Sequence, residues 1–328
     1  MISNSLKQLI THLIDYAGLF PPASLPLDKA YEEYVKYINE SDEWILSKFI
    51  CPAKQLPYLA ELINKDKANK KSFSVSVLGR SGADIEQFIK GTNDDLLSIK
   101  NFLEDTNNKF PADAFEVRLP ENMVSENNAD VIYELLNNVS ATFKVDLASP
   151  VKKFFELPLK DDWKSSVNNL VSALQKHNDF FGQDENFLRS GFKLRTGGVE
   201  APAFPSPEQI AYVIKTCYEN QVPLKFTAGL HHPIRHYNDS VKTKMHGFLN
   251  VFGAGILLYG NDLLEEDLIN ILSDEDSGNF KFDDDNFRWK EFKAPVKVIE
   301  KARKNFVISY GSCSFDEPRE DLNILKLM

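Results

Sequence analysis

Eight times along this chain, a short run rich in β-branched and aromatic residues precedes a longer segment with apolar residues at helical spacing. The runs are L-I-D-Y-A-G-L-F (13–20), S-K-F-I-C-P (47–52), F-S-V-S-V-L-G (73–79) and A-F-E-V-R-L-P (114–120). They continue with K-F-F-E-L-P-L (153–159), G-F-K-L-R-T-G-G (191–198), P-L-K-F-T-A-G-L (223–230) and F-V-I-S-Y-G-S-C-S-F (306–315). Strands that alternate with helices form parallel sheets, and eight such units are the number that closes a parallel barrel. The expected fold is therefore α/β, a (β/α)8 TIM-type barrel filling residues 1–328 as one domain. Residues 261–300 exceed the usual connection length and are expected to be a peripheral insertion between the last two strands.

Local signals agree with this order. At S-P-E-Q (206–209), Ser206 is expected to be an N-cap, with Pro207 at the first helical position and Gln209 completing a capping box. Asp161 or Asp162 is the expected N-cap of the helix over 161–174. Two passages fit less simply. A-T-F-K-V-D-L (141–147) also reads as a strand with no helix between it and 153–159, so either it forms a hairpin there or it is the true fifth strand. F-K-F-D-D-D-N-F-R-W (280–289) reads as a small hairpin, expected over the barrel mouth. Internal repeats, low-complexity tracts and inter-domain linkers are not evident.

Composition narrows the class of partner. With 43% hydrophobic residues among 328, the chain can bury a core of barrel size. A net charge of -10 and a pI near 5.2 argue against nucleic acid and anionic membranes. The most lipid-like run, 247–260, is short and broken by glycine, and reads as a buried helix. Cys51, Cys217 and Cys313 are too few and too scattered for a disulfide framework or a zinc ribbon. Neither a signal peptide nor a transit-like start is apparent, so a cytoplasmic location is expected. No cofactor is expected, and a homo-oligomer is compatible with the sequence.

Six of the eight expected strands carry prominent polar residues: Asp15, then Glu116 with Arg118, Glu156, Lys193 with Arg195, Lys225, and finally Ser312. The C-terminal strand ends are where barrel active sites lie. Alternation puts Glu116 and Arg118 on one side, and likewise Lys193 and Arg195. Paired charges inside a barrel can serve packing alone, but two lysines on neighbouring strands have a chemical use. Each disfavours protonation of the other, and the free amine so produced attacks a carbonyl. Asp15, Glu116 and Glu156 are the candidate proton relays.

With these residues in view, the sequence resembles the deoxyribose-phosphate aldolase family of class I aldolases. That family's first strand reads like Ile-Asp-His-Thr-Leu-Leu, beside I-D-Y-A-G-L at 14–19. Its sixth carries Lys-Thr-Ser-Thr-Gly and then Thr-Pro-Glu, beside K-L-R-T-G at 193–197 and S-P-E at 206–208. Its seventh reads Lys-Ala-Ser-Gly-Gly-Ile, beside K-F-T-A-G-L at 225–230. Glu156 matches a glutamate ending its fifth strand, and C-P at 51–52 resembles a stretch of its second. The resemblance implies that Lys193 forms the imine, Lys225 tunes it, and Glu116 stands where the family has a proton-moving aspartate. The phosphate cradle departs from the family, with G-L-H-H after the seventh strand and G-S-C at the last.

Beyond the seventh strand, H-H-P-I-R-H places His231, His232 and His236 close together, with His246 ten residues on. Three readings follow. The chain is expected to be a Schiff-base aldolase or lyase acting on a small anionic carbonyl compound. In that reading Arg195, Arg118, His231, His232 and Ser312 bind the substrate anion. Alternatively, His231, His232 and His236 hold a metal for a lyase or hydrolase. The third possibility is a ligand-binding barrel without catalysis. Cys217 reads as packing, and neither Cys51 nor Cys313 has an evident activating partner in sequence.

Overall fold

A computed structural model describes residues 2–120, 123, 128–160 and 162–328. Its first seven strands are β1 (Ile14–Tyr16), β2 (Leu46–Pro52), β3 (Val75–Leu78), β4 (Ala112–Arg118), β5 (Lys152–Glu156), β6 (Gly191–Arg195) and β7 (Leu224–Thr227). Short strands β8 (His236–Asn238), β9 (Thr243–Met245), β10 (Phe280–Phe282), β11 (Asn286–Trp289) and β12 (Phe292–Pro295) follow, and β13 (Val307–Ser312) comes last. Strands β1 to β7 and β13 form a closed barrel in the order β1-β13-β7-β6-β5-β4-β3-β2, with parallel pairing. The expected (β/α)8 barrel is therefore present. Barrel strands are covered on both faces, which explains why they read as nearly continuous apolar runs interrupted by single polar residues.

The chain divides into two compact units, one of Met1–Ala23, Trp44–Ser47 and Leu194–Met328, the other of Ser24–Glu43 and Lys48–Lys193. In the second unit, α2 (Leu27–Tyr37), α3 (Leu56–Lys65), α4 (Ile85–Asp105), α5 (Ala129–Asp146) and α6 (Trp163–Phe181) alternate with β2 to β5. The stretch 141–147 lies almost entirely in α5 and is neither a strand nor half of a hairpin. Its Thr-Phe-Lys-Val composition suits a strand, but Phe143 extends the buried stripe of Ile132, Leu135, Leu136 and Val139 at helical spacing. The fifth barrel strand is thus 152–156. Asp162 occupies the N-cap of α6 without a side-chain capping bond, and the alternative, Asp161, lies outside the described residues.

A buried carboxylate in this unit gives a testable pH dependence. Asp95 on α4 accepts the Arg80 backbone N–H at 2.7 Å, and the Arg80 Nε lies 3.1 Å away. Burial raises the Asp95 carboxyl to about 6, against the opposing pull of Arg80. The folded chain therefore holds this proton more tightly than the unfolded chain. The contribution is most favourable below the ordinary aspartate value and declines as pH rises through about 6. Asp95→Asn is expected to flatten this part of the stability profile, whose full span is at most about 3 kcal/mol. Urea unfolding at several pH values between 4 and 7 measures it, and an unchanged slope would refute the assignment.

The first unit holds α1 (Asn4–Ile10), α7 (Pro207–Glu219), α8 (Phe248–Gly260), α9 (Glu265–Ser273), α10 (Val296–Asn305) and α11 (Asp316–Ile324). The capping box at α7 forms as expected: Ser206 Oγ accepts from Gln209 N, and Gln209 Oε1 accepts from Ser206 N. Helix α8 is buried from Phe248 to Leu258, so its apolar run is core, and no helix of the described residues is long and apolar enough to cross a membrane. It lies so close to β13 that a Cβ at Gly255 would stand 2.5 Å from Val307 Cγ1.

The hairpin expected at 280–289 exists as β10 and β11, and β12 extends it into a three-stranded antiparallel sheet. It adjoins α1, where Ser5 N bonds the Asp283 carbonyl. Because α1 leads into the start of β1, this sheet stands by the N-terminal end of that strand and not over the mouth. Arg303 of α10 locks the same end. Its guanidinium is buried and donates to the carbonyls of Leu9, Thr11, His12, Val307 and Ile308.

Candidate functional site

Two buried polar centres sit on the barrel strands, one in each unit. In the second unit, Lys193 Nζ lies 2.9 Å from Glu116 Oε2 and 3.1 Å from Glu156 Oε2. Ser76 Oγ donates to the other Glu116 oxygen at 2.5 Å. These four side chains come from β3, β4, β5 and β6, which are consecutive in the sheet. In register, Glu156 stands opposite Lys193, which brings one carboxylate directly alongside the amine. All four are buried.

Such a cluster sets its own protonation state. Burial alone would lower the Lys193 amine, but the charges of Glu116 and Glu156 outweigh it, and the amine is raised above its ordinary value. This is opposite in direction to the lowering expected from a pair of lysines. The reason is geometric, because the nearest charges to Lys193 within its unit are the two glutamates. Lys193 is therefore an ammonium in the resting protein.

In the first unit, Lys225 Nζ makes an ion pair with Asp15 Oδ2 and lies 3.2 Å from Ser309 Oγ. Ser309 Oγ in turn donates to Asp15 Oδ2 at 2.6 Å. Lys225 and Asp15 are essentially inaccessible to solvent, at 1% and 0% exposure. Ser309 and Ser76 were not singled out from the sequence. A signal existed in strand parity: Ser309 lies two residues before Gly311, which stands opposite Asp15 in register.

At the C-terminal strand ends of the first unit, the segments after β6 and β7 are bonded to each other. Thr196 Oγ1 donates to the Ala228 carbonyl at 2.6 Å, and Thr196 N to the Thr227 carbonyl at 2.8 Å. Gly229 has φ +75°, and a Cβ there would stand 2.8 Å from Gly197 Cα, so the G-G of 197–198 and the A-G of 228–229 serve a close backbone approach. Arg195 ends β6, is exposed, and donates from Nη1 to the Gly197 carbonyl at 3.2 Å. Arg118 ends β4 opposite Glu156 in register and is partly exposed.

The histidines go to several partners. His231 Nδ1 lies 3.0 Å from Glu317, and His232 Nδ1 lies 2.5 Å from Asp321, so both are tied to α11. Bonding to His231 holds the Glu317 carboxyl below its ordinary value against the effect of burial. His236 rests edge-on to His232 at 4.3 Å and is lowered by burial. His246 donates from Nε2 to the Pro205 carbonyl and accepts from Arg235 at Nδ1; burial lowers it to about 4, so it is neutral. Among the described residues, no group of three or more His, Cys, Asp or Glu side chains is arranged to hold a metal ion. Ser312 Oγ donates to the Ser314 carbonyl at 2.7 Å. Burial raises the thiols of Cys51, Cys217 and Cys313, so none resembles an activated nucleophile.

The structure thus brings Glu116, Glu156 and Lys193 together, and separately Asp15 and Lys225. Arg118, Arg195 and Ser312 stand at strand ends, and His231 and His232 in the loop after β7. No protein-family model matches this chain, and no curated protein does.

Proposed function

We propose that the protein is a class I, Schiff-base aldolase or lyase that acts on a small anionic carbonyl compound, with Lys193 as the imine-forming amine. The observation that carries this reading is the position of Lys193 Nζ, within 3.1 Å of both Glu116 and Glu156 on a barrel strand. An amine with two carboxylates in hydrogen-bond reach has the acid and the base that imine chemistry requires. The resemblance to the deoxyribose-phosphate aldolase family points the same way.

The proton balance runs through the glutamates. Lys193 must first pass its extra proton to one glutamate, leaving a free amine and a neutral carboxylic acid. The amine then attacks the carbonyl carbon, and the proton shed by the attacking nitrogen passes to the carbonyl oxygen. The resulting carbinolamine loses water when the glutamic acid protonates its hydroxyl, and the nitrogen lone pair forms the iminium. That iminium accepts the electron pair of the breaking carbon–carbon bond and becomes an enamine, while the other glutamate removes the proton from the departing hydroxyl and then delivers it to the enamine carbon. Hydrolysis of the product imine restores the starting state. Arg118, at the end of β4 in the same unit as Lys193, supplies a cation for the substrate's carboxylate or phosphate. Asp15 neutralises Lys225, so in this proposal the tuning of Lys193 falls to the glutamates.

Borohydride reduction in the presence of small aldehydes and 2-oxo acids, phosphorylated and not, followed by peptide mass spectrometry, tests the reading. The expected result is a reduced adduct on Lys193 with at least one member of the panel, formed faster as pH rises. Adducts on no lysine, together with a tightly held divalent metal, would replace it with a metal-dependent lyase or hydrolase.

A further inference from the structure

A third buried lysine, Lys153, has no counter-charge among the described residues. Lys153 is only 5% exposed and points from β5 towards α5 and α6, with its ammonium 5.7 Å from the centre of the Phe143 ring. Among the described residues its single acceptor is the Val151 carbonyl at 3.1 Å, although an ammonium has three donors. Among the described residues, no carboxylate lies within ion-pair distance of it, whereas Lys193 has Glu116 and Glu156 and Lys225 has Asp15. A buried charge without compensation is costly.

The neighbours cannot supply the missing charge. His177, the nearest titratable group on α6, donates from Nδ1 to Asn137 Oδ1 at 2.8 Å and accepts at Nε2 from the Ser140 and Ser190 hydroxyls. Burial and the charge of Lys153 keep it neutral. Asp184 is taken by Lys144 at 2.6 Å. Burial lowers Lys153 itself to about 8, so near neutral pH it remains mostly charged but loses its proton readily.

Lys153 also lines a pocket of about 290 Å³ beside the N-terminal end of β5, walled by Phe143, Phe181 and Phe187. Phe181 and Phe187 stack at 5.4 Å and 25°, which makes one wall flat. The Lys144–Asp184 pair and Asn186 are polar members of its lining. A flat-walled cavity whose lining is half apolar and half polar, with one cation lacking an ion-pair partner among the described residues, matches the general build of a small-molecule site. We propose that this pocket binds a small aryl or short-chain carboxylate, whose anion pairs with Lys153 while its apolar body lies between the phenylalanines. The site is separate from the Lys193 centre, since Lys153 is the second residue of β5 and Glu156 its last, three positions on and on the opposite face of the strand.

Titration calorimetry of the full chain with benzoate and 3-phenylpropanoate, against benzamide as the neutral counterpart, tests this. Saturable binding of the acids is expected, weakened at least tenfold in Lys153→Met, while any benzamide binding is the same in both proteins. A second measurement needs no variant. At pH 8, benzoate should slow acetylation of Lys153, read by peptide mass spectrometry, at least fivefold without slowing exposed lysines. Absence of saturable acid binding, equal binding by Lys153→Met, or unchanged acetylation of Lys153 would each overturn the proposal.

Discussion

Lys193→Met is expected to abolish borohydride-trapped adducts at every pH and to destabilise the fold by about 3–5 kcal/mol at pH 8, the usual cost of stripping the partner from a buried charge. The two effects have one origin. Glu116 Oε2 and Glu156 Oε2 both lie within 3.1 Å of the amine, so its removal leaves two buried carboxylates facing each other. Two neighbouring buried carboxylates that have lost a shared cation disfavour each other's ionisation. A carboxyl raised in the folded state is most favourable at low pH, and its contribution is lost as pH rises through the raised value. The variant should therefore recover stability towards the wild type as pH falls from 8 to 5. Denaturant unfolding across that range measures the slope. A variant equally destabilised at both pH values would show that the glutamates are compensated from elsewhere. A variant that still forms the adduct would remove Lys193 from the mechanism.

The barrel was legible because its signal is repeated. Eight strand–helix alternations each carry their own periodicity, and parity within a strand already tells which polar residues share a side. Lys193 and Glu156 could be read as neighbours in space because both stand at or near the ends of consecutive strands. The protonation state could not be read, because it depends on register. Only the pairing of Glu156 with Lys193, and of Glu116 with the adjacent strands, makes carboxylates the nearest charges to that amine. The misreading of 141–147 is local in origin: seven residues of mixed propensity suit either structure, and the stripe from Ile132 to Phe143 decides only when the whole helix is considered. Lys153 stayed hidden for a related reason. One lysine before two phenylalanines reads as the start of a strand, and its isolation from any carboxylate is a property of α5 and α6 packed over it.

Breaking the other centre separates a structural role from a chemical one. Asp15→Asn is expected to cost about 3–5 kcal/mol, because it removes the ion pair of a buried Lys225 ammonium while Ser309 Oγ stays in reach. Lys225→Met should cost less. Asp15 also acts electrostatically on the buried Arg303, so the carboxylate keeps a cation in its field when Lys225 is gone. Removing the carboxylate instead takes a counter-charge away from both Lys225 and Arg303. The double variant Asp15→Asn with Lys225→Met removes both partners and should recover at least about 2 kcal/mol relative to the sum of the single changes, within the coupling range of groups in direct contact. Urea unfolding of the four proteins closes the cycle, and additive effects would mean that the ion pair is not what holds these side chains. The double variant also addresses catalysis. In the proposed mechanism the proton moves between Lys193 and its own glutamates, so the double variant should still form the Lys193 adduct. Loss of that adduct in a folded double variant would assign Lys225 or Asp15 a direct part in imine formation, and the proton route through Glu116 and Glu156 would have to be redrawn.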